Sequence, residues 1–205
     1  MFELLAALAL GYLLGAIPSA ALLAQAKGRR IFEVGSGNMG AMNTARNLGY
    51  LLGGLVLVMD IGKGALATLL AQLMTRATNP PGIPTLGMVA AAGVGAVLGH
   101  AWSAYINFRG GKGLATTLGI SLPLYPLAGL YGLGILIALV LLVRRANLAA
   151  VVAIISYPLV VLATLRKLGW PQDDTFTILT SVILIAVIVL LKYLPALRRG
   201  EKPLF

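Results

Sequence analysis

The chain has 205 residues, 59% of them hydrophobic and only 11% charged, with a formal net charge of +10. Soluble domains carry about a quarter charged residues, so this composition excludes a soluble domain and indicates an integral membrane protein. The apolar runs are long and unbroken, which excludes a β-barrel of short alternating strands and favours an all-α protein.

Residue content also excludes two kinds of site. The sequence has no cysteine and a single histidine, His100, so it offers neither thiolate nor histidine clusters to a metal. No basic stretch is interleaved with aromatic residues, so the positive charge does not indicate nucleic-acid binding. In a membrane protein, such an excess of Lys and Arg is typical of cytoplasmic loops.

Six apolar runs follow one another along the chain, at roughly 2–24, 48–74, 85–106, 114–143, 147–165 and 175–194. The first lacks the basic start and cleavage site of a signal peptide, so we interpret it as a retained transmembrane helix. The fourth is too long for one span, because it would measure ~45 Å against a hydrocarbon core of ~30 Å. Pro123 and Pro126 lie inside it and disrupt helical hydrogen bonding. We therefore predict a break between 114–122 and 126–143, and seven segments with the fourth short.

The distribution of basic residues supports seven segments. With the N-terminus outside, twelve basic residues fall on the cytoplasmic side and three on the outer side, and Lys63 lies within a segment. A single span over 114–143 would make the division eight to seven, against the positive-inside rule. The cytoplasmic set is Lys27, Arg29, Arg30, Arg46, Arg109, Lys112, Arg144, Arg145, Lys192, Arg198, Arg199 and Lys202; the outer set is Arg76, Arg166 and Lys167. This orientation places the C-terminus in the cytoplasm.

The first polar loop on the cytoplasmic side is unusually rich in glycine and asparagine: it reads GSGNMGAMNTARNLG over residues 35–49. Glycine N–H groups and asparagine amides suit a substrate with hydroxyl and phosphate oxygens, and arginine binds phosphate as a fork. The alternative is an ordinary long loop whose Ser and Asn residues cap helices. The candidate residues are Gly35, Ser36, Gly37, Asn38, Gly40, Asn43 and Arg46.

The second glycine-rich segment precedes the short fourth helix and reads NFRGGKGLATT over residues 107–117. Unshielded N–H groups at a helix N-terminus attract anions, and nearby basic side chains add charge, so the pattern predicts a phosphate cradle. It lacks the spacing of a Walker P-loop. The alternative is a flexible turn with cytoplasmic positive charges. The candidates are Arg109, Gly110, Gly111, Lys112, Gly113 and Thr116.

Three ionisable residues within apolar segments are candidates for a functional site. Asp60 and Lys63, spaced to share a helix face, can pair, and a functional site is the default hypothesis for charges at membrane depth. The alternative is a structural salt bridge between helices. His100 lies near the end of the third segment, where a packing role is the alternative to catalysis.

These elements together resemble a known family, the bacterial acyl-phosphate-dependent glycerol-3-phosphate acyltransferases, or PlsY family. The first loop is similar to that family's motif GSGNxGAxNxxRxLG, and MDIGKG (59–64) to its DxxKG element. The segment GHAWSAYINFRGGKGLAT (99–116) is similar to GHxxxxxxxFxGGKGxAT. Order and spacing agree from about residue 5 to residue 120.

The resemblance implies a single membrane domain, 1–205, with seven helices and cytoplasmic motifs in the bacterial inner membrane. It implies transfer of an acyl group from acyl phosphate to the 1-hydroxyl of glycerol 3-phosphate, without metal or cofactor, giving lysophosphatidic acid and phosphate. Expected partners are these two substrates, membrane lipid and the upstream enzyme that forms acyl phosphate. On this pattern Ser36, Arg46 and Lys112 contact substrate phosphates, and the predicted catalytic set adds His100.

The second half of the chain departs from the family pattern. A serine-bearing element similar to SLxS is replaced by NLAA, with Asn147 and Ala150. In place of the C-terminal motif HRxNIxRLLxGxE the chain has Leu190 for the histidine and Tyr193 for the asparagine. Two other functions therefore stay open: a non-catalytic relative that binds phospholipid precursors or a partner enzyme, and an anion transporter, which the lack of an internal repeat disfavours.

Overall fold

The structure, a computed structural model, describes residues 2–78 and 85–198, and these residues form an all-helical bundle. The α-helices are α1 (Phe2–Gly15), α2 (Ser19–Gln25), α3 (Ala41–Leu48), α4 (Tyr50–Thr78), α5 (Thr85–Ala101), α6 (Leu114–Leu124), α7 (Pro126–Val143), α8 (Ala146–Lys167) and α9 (Gln172–Arg198). Short 3-10 turns occupy Ile31–Glu33 and Ala104–Ile106. Most of the predicted outer loop (75–85), and the basic C-terminal residues Arg199 and Lys202, lie outside the described residues.

Within the described residues, five helical stretches are long and apolar enough to cross a membrane, α1 and α2 together counting as one. Helices α5 and α6 are apolar but shorter. The prediction of an all-α, multi-pass membrane protein is confirmed. The count of seven crossings stays a prediction.

The predicted break in the fourth apolar run is confirmed. Helix α6 ends at Leu124, Tyr125 leaves the helical conformation with φ −145° and ψ 67°, and α7 begins at Pro126. Proline suits the first position of a helix because its missing N–H has no helical partner there. Pro123, by contrast, is accommodated in the last turn of α6. Gly113 at the start of α6 and Ala146 at the start of α8 line one cavity. Helix α6 therefore leads away from this cavity, and α7 leads back to it.

The helices pack through small residues. Gly11 and Gly15 of α1 lie against the main-chain carbonyls of Ala92 and Ala96 on α5, where any Cβ would overlap with the carbonyl oxygen. Close backbone approach of this kind is typical of helix pairs in lipid, where the hydrophobic effect does not drive association. Helices α1 and α5 are therefore packed backbone to backbone at these positions.

The first apolar run is interrupted between α1 and α2, at Pro18. A helix end leaves carbonyl groups without helical partners, and buried groups of this kind need another donor. The Ser103 hydroxyl donates to the carbonyl of Ala16 at 2.5 Å, and Lys63 Nζ donates to that of Ile17 at 3.1 Å. The break is thus held by the loop after α5 and by α4.

Candidate active site

A cavity of about 320 Å³ lies where α3, α4, the end of α5, α6, α7, α8 and α9 meet. One end is polar and the rest is apolar. The polar side chains of the lining are Asn38, Asp60, His100, Lys112, Thr117, Asn147 and Tyr193, with Tyr157 further along α8. The apolar part runs between α6, α7 and α8 past Leu114, Leu118, Leu133, Leu136, Val140 and Ile154. Leu136 and Val140 are half-buried, so this part opens toward the surface that faces lipid.

Three helices begin at this cavity. Gly40, at the start of α3, and Gly113, at the start of α6, both line it, as does Asn147 at the second position of α8. The first backbone hydrogen bond of each helix closes its first turn; in α6 the Thr117 N–H donates to the Gly113 carbonyl at 2.8 Å. The earlier N–H groups and the helix dipole favour a negative charge. The polar end is therefore suited to anions.

The first glycine-rich loop is organised by the amide of Asn43, which is buried. Its Nδ2 donates to the carbonyls of Val34 at 3.1 Å and Asn38 at 3.0 Å, and its Oδ1 accepts from the Ser36 N–H at 2.9 Å. Gly37 takes a φ of +66°, which other residues rarely adopt. The structure thus uses Asn43 to shape the loop.

The other predicted residues of this loop divide between the cavity and the surface. Asn38 and Gly40 line the cavity. The side chains of Ser36 and Arg46 are exposed and lie outside its lining, as do Gly35 and Gly37.

The second glycine-rich loop is pressed against the end of α5. The Gly111 N–H donates to the His100 carbonyl at 3.0 Å, so this amide is engaged within the fold. A Cβ at Gly111 would overlap with the His100 ring, and one at Gly110 with the carbonyls of His100 and Ala101. Arg109 is exposed, and its guanidinium lies 5.2 Å from the centroid of the Phe32 ring. Within this loop, Lys112 and Gly113 line the cavity.

Lys112 is held by two residues from the second half of the chain. Its Nζ donates to Asn147 Oδ1 at 2.5 Å and lies 4.2 Å from the centroid of the Tyr193 ring. All three side chains line the cavity. From the sequence, Asn147 and Tyr193 were departures from a motif, and nothing in their spacing indicated that they contact this lysine.

Asp60 is the centre of a buried cluster. Its Oδ1 lies 2.9 Å from Lys63 Nζ and 3.6 Å from His100 Nδ1, and it accepts from the Ser19 hydroxyl at 3.0 Å. Because Lys63 also binds the Ile17 carbonyl, the pair ties α4 to the break between α1 and α2. Asp60 and His100 line the cavity, whereas Lys63 lies behind it. Within 2–78 and 85–198, no group of three acidic or histidine side chains could hold a metal ion.

Thr116 and Thr117 face different sides of α6. Thr116 is fully buried at the contact with α4, where its carbonyl abuts Gly64. Thr117 lines the cavity and donates its hydroxyl to the Gly113 carbonyl at 2.9 Å. Of the two, the one that faces the cavity is Thr117, one position after the predicted Thr116.

Comparison with known proteins identifies the family. A family model described as glycerol-3-phosphate acyltransferase matches residues 5–201. The chain belongs to the glycerol-3-phosphate acyltransferase family. The enzyme of that name from Geobacter sulfurreducens is 37% identical over 191 residues, 93% of this chain and 90% of the relative. Glycerol-3-phosphate acyltransferase 1 of Deinococcus radiodurans is 44% identical over 147 residues, 72% of this chain and 70% of the relative.

Solved structures agree with this family. The crystal structure of PlsY, an integral membrane glycerol 3-phosphate acyltransferase, in its glycerol 3-phosphate form has a TM-score of 0.78 and 29% sequence identity. The match covers 96% of this chain and 90% of that one. The lysophosphatidic acid form gives a TM-score of 0.77 and 28% identity. The resemblance to the PlsY family inferred from the motifs is confirmed.

The departures from the acyltransferase family pattern gather at the same cavity. Asn147, Ala150 and Tyr193 all line it. Leu190, which stands where the family motif has histidine, is instead half-buried and packs against the main hydrophobic core. Three of the four departures therefore change the wall of the cavity itself.

Proposed function

We propose that this protein transfers an acyl group from acyl phosphate to the 1-hydroxyl of glycerol 3-phosphate, giving lysophosphatidic acid and phosphate. Family membership supports glycerol 3-phosphate as the acceptor. Acyl phosphate as the donor, and the 1-hydroxyl as the site of acylation, are the finer parts of the proposal. They are drawn from the match of both glycine-rich motifs to the PlsY pattern.

One observation carries the proposal: an anion-binding end and an apolar groove belong to the same cavity. Three helix N-termini and the Lys112 ammonium make the polar end favourable for phosphate groups. The apolar walls between α6, α7 and α8 suit a fatty acyl chain, because they keep it out of water as the surrounding lipid does. An acyl phosphate lying along this cavity has its carbonyl carbon at the junction of the two parts.

The chemistry needs little beyond this arrangement. The substrate hydroxyl oxygen attacks the acyl carbonyl carbon, a new ester C–O bond forms, and the C–O bond to phosphate breaks. The hydroxyl proton passes to a phosphate oxygen, so the substrate itself serves as base. The protein contributes fixed donors, because positive groups placed beforehand around developing negative charge often lower the activation barrier more than any other single effect.

We assign the remaining predicted residues as follows. Ser36 and Arg46 lie on the loop before α3 and on α3 itself, whose N-terminus lines the cavity, and they would bind substrate phosphate from the cytoplasmic side. Arg109, at the surface of the second loop, would attract the anionic substrates. Asp60 and His100 would form the floor of the polar end.

The orientation proposed for the chain places the N-terminus outside and the C-terminus in the cytoplasm. The segments 35–49 and 107–113 and the starts of α3, α6 and α8 contribute to one site, and the same segments carry three of the twelve basic residues assigned to the cytoplasmic side. Both substrates would then reach the cavity from the cytoplasm. The enzyme that forms acyl phosphate is the proposed upstream partner.

The decisive experiment is phosphate release by the purified protein from palmitoyl phosphate, with and without glycerol 3-phosphate. We expect release that depends on glycerol 3-phosphate, together with formation of lysophosphatidic acid. The departures at Asn147, Leu190 and Tyr193 favour one second candidate, a non-catalytic relative. Binding of glycerol 3-phosphate without any release would support that candidate and contradict the acyltransferase.

A further inference from the structure

The contact of Lys112 with Asn147 and Tyr193 joins the two halves of the chain at the polar end of the cavity. Lys112 belongs to the glycine-rich loop, Asn147 to the first turn of α8, and Tyr193 to α9. The two contacts, 2.5 Å to the amide oxygen and 4.2 Å to the ring centroid, reach the same ammonium group.

The backbone that carries Lys112 is fixed on the same helix that supplies the ring. Gly113 has a φ of +92°, and a Cβ there would lie 3.0 Å from Val97 Cγ1 and 3.3 Å from Val189 Cγ2. Val189 stands one helical turn before Tyr193, on the same face of α9. Helix α9 thus contacts two consecutive residues of the loop. Lys192 Nζ, which donates to the Ala101 carbonyl at 2.8 Å, fastens α9 to the end of α5.

The two partners of Lys112, Asn147 and Tyr193, are neutral side chains. The face of an aromatic ring attracts an ammonium group electrostatically, and an amide oxygen accepts one of its three N–H donors. Neither contact cancels the positive charge, as a carboxylate would. A lysine side chain held in this way has already lost its rotamer freedom, so less entropy is lost when an anion binds.

We propose that Asn147 and Tyr193 are positioning residues for Lys112. They hold its ammonium at the polar end of the cavity, in the direction of the substrate phosphate. Both residues stand at positions where the chain departs from the family motifs. Through this pair, α8 and α9 determine how tightly the glycine-rich loop binds phosphate. The inference rests on the proposed function, in which Lys112 contacts a substrate phosphate.

The first test is a set of single substitutions assayed for kcat and KM with both substrates. Tyr193→Leu removes the ring and should raise KM for a phosphate substrate roughly tenfold, and Tyr193→Phe, which keeps the ring, should cause a smaller rise. Asn147→Asp, which sets a negative charge beside the ammonium, should cause a larger loss than Asn147→Ala. Tyr131→Leu is the matched control, because Tyr131 is exposed on α7 and lies outside the cavity. Equal kinetics for Tyr193→Leu and wild type would overturn the proposal.

The second test separates positioning from simple packing by a double-mutant cycle on binding. Kd for glycerol 3-phosphate and for inorganic phosphate is measured with Tyr193→Leu and Lys112→Met, singly and combined. If Tyr193 acts through Lys112, its substitution weakens binding in the wild-type background and has no further effect in Lys112→Met. An equal weakening in both backgrounds would overturn the proposal. If Tyr193→Leu does not fold, Asn147→Ala replaces it in the cycle.

The cycle also distinguishes this inference from the proposed function. A wild-type protein that binds glycerol 3-phosphate without turnover would contradict the acyltransferase, and the Kd values would still decide the role of Asn147 and Tyr193. A wild-type protein that binds neither probe would contradict both.

Discussion

The two glycine-rich loops and the pair of helices α8 and α9 contribute to the cavity in different ways. The loops carry most of the residues of the two glycine-rich motifs, yet several of these polar groups are engaged within the fold: the Asn43 amide on α3 binds the loop that precedes it, and the Gly111 N–H binds the end of α5. Helices α8 and α9 carry neither glycine-rich motif, but Asn147 and Tyr193 on these helices contact the lysine that lines the cavity. Much of the motif therefore builds a scaffold, and the positioning of its charged group comes from elsewhere in the chain.

Removing the Lys112 ammonium should have the largest effect on activity. We expect Lys112→Ala to lower kcat by about 100-fold or more, because loss of one fixed donor at developing negative charge typically costs that much. The measurement is glycerol 3-phosphate-dependent phosphate release by protein whose thermal unfolding is unchanged. Arg76→Ala, on the opposite side of the membrane in the proposed orientation, should act as wild type. Full activity of Lys112→Ala would show that this ammonium does not stabilise the reacting groups.

Breaking the buried pair of Asp60 and Lys63 should have the largest effect on stability. Asp60 and Lys63 are 3% and 5% exposed, and removal of one partner of a buried pair costs about 3–5 kcal/mol. Lys63→Met also leaves the Ile17 carbonyl without this donor. We expect a large fall in the unfolding temperature in detergent, with activity lost in proportion to folded protein. Arg30→Met, which breaks an exposed pair with Glu33, is the control and should leave the unfolding temperature unchanged.

Removing the Asn43 amide should have a smaller effect on stability and a clear effect on substrate binding. Asn43→Ala leaves two carbonyls and one N–H of the loop without this partner, which costs about 1–3 kcal/mol for each group that stays buried. We expect a raised KM for glycerol 3-phosphate with a modest fall in unfolding temperature. Asn47→Ala, at an exposed position that donates to Asn43, should change both values little. The reverse order of effects would mean that Asn47, and not Asn43, shapes the loop.

The sequence predicted those parts of the fold that depend on local chemistry. Proline restricts its own residue and its neighbours, so the break between α6 and α7 could be placed from Pro123 and Pro126. The start of α6 after Gly113 could be placed from the glycines of the second loop, but the presence of the start of α8 at the same cavity carried no such signal. The partners of Lys112 could not be predicted, because a contact between distant residues depends on how the helices pack. The engagement of the Gly111 amide was hidden for the same reason.

The side of the cavity between α7 and α8 has a further consequence for how the products would leave the site. Leu136 and Val140 leave the apolar groove open toward lipid, while the polar end faces the basic loops. In the proposed reaction, phosphate would leave into water, and the acylated product would move laterally into one leaflet of the bilayer without crossing an aqueous phase. The two products would leave into different media, so they would seldom meet again at the site, and the next enzyme that uses the lipid would reach it by diffusion in two dimensions.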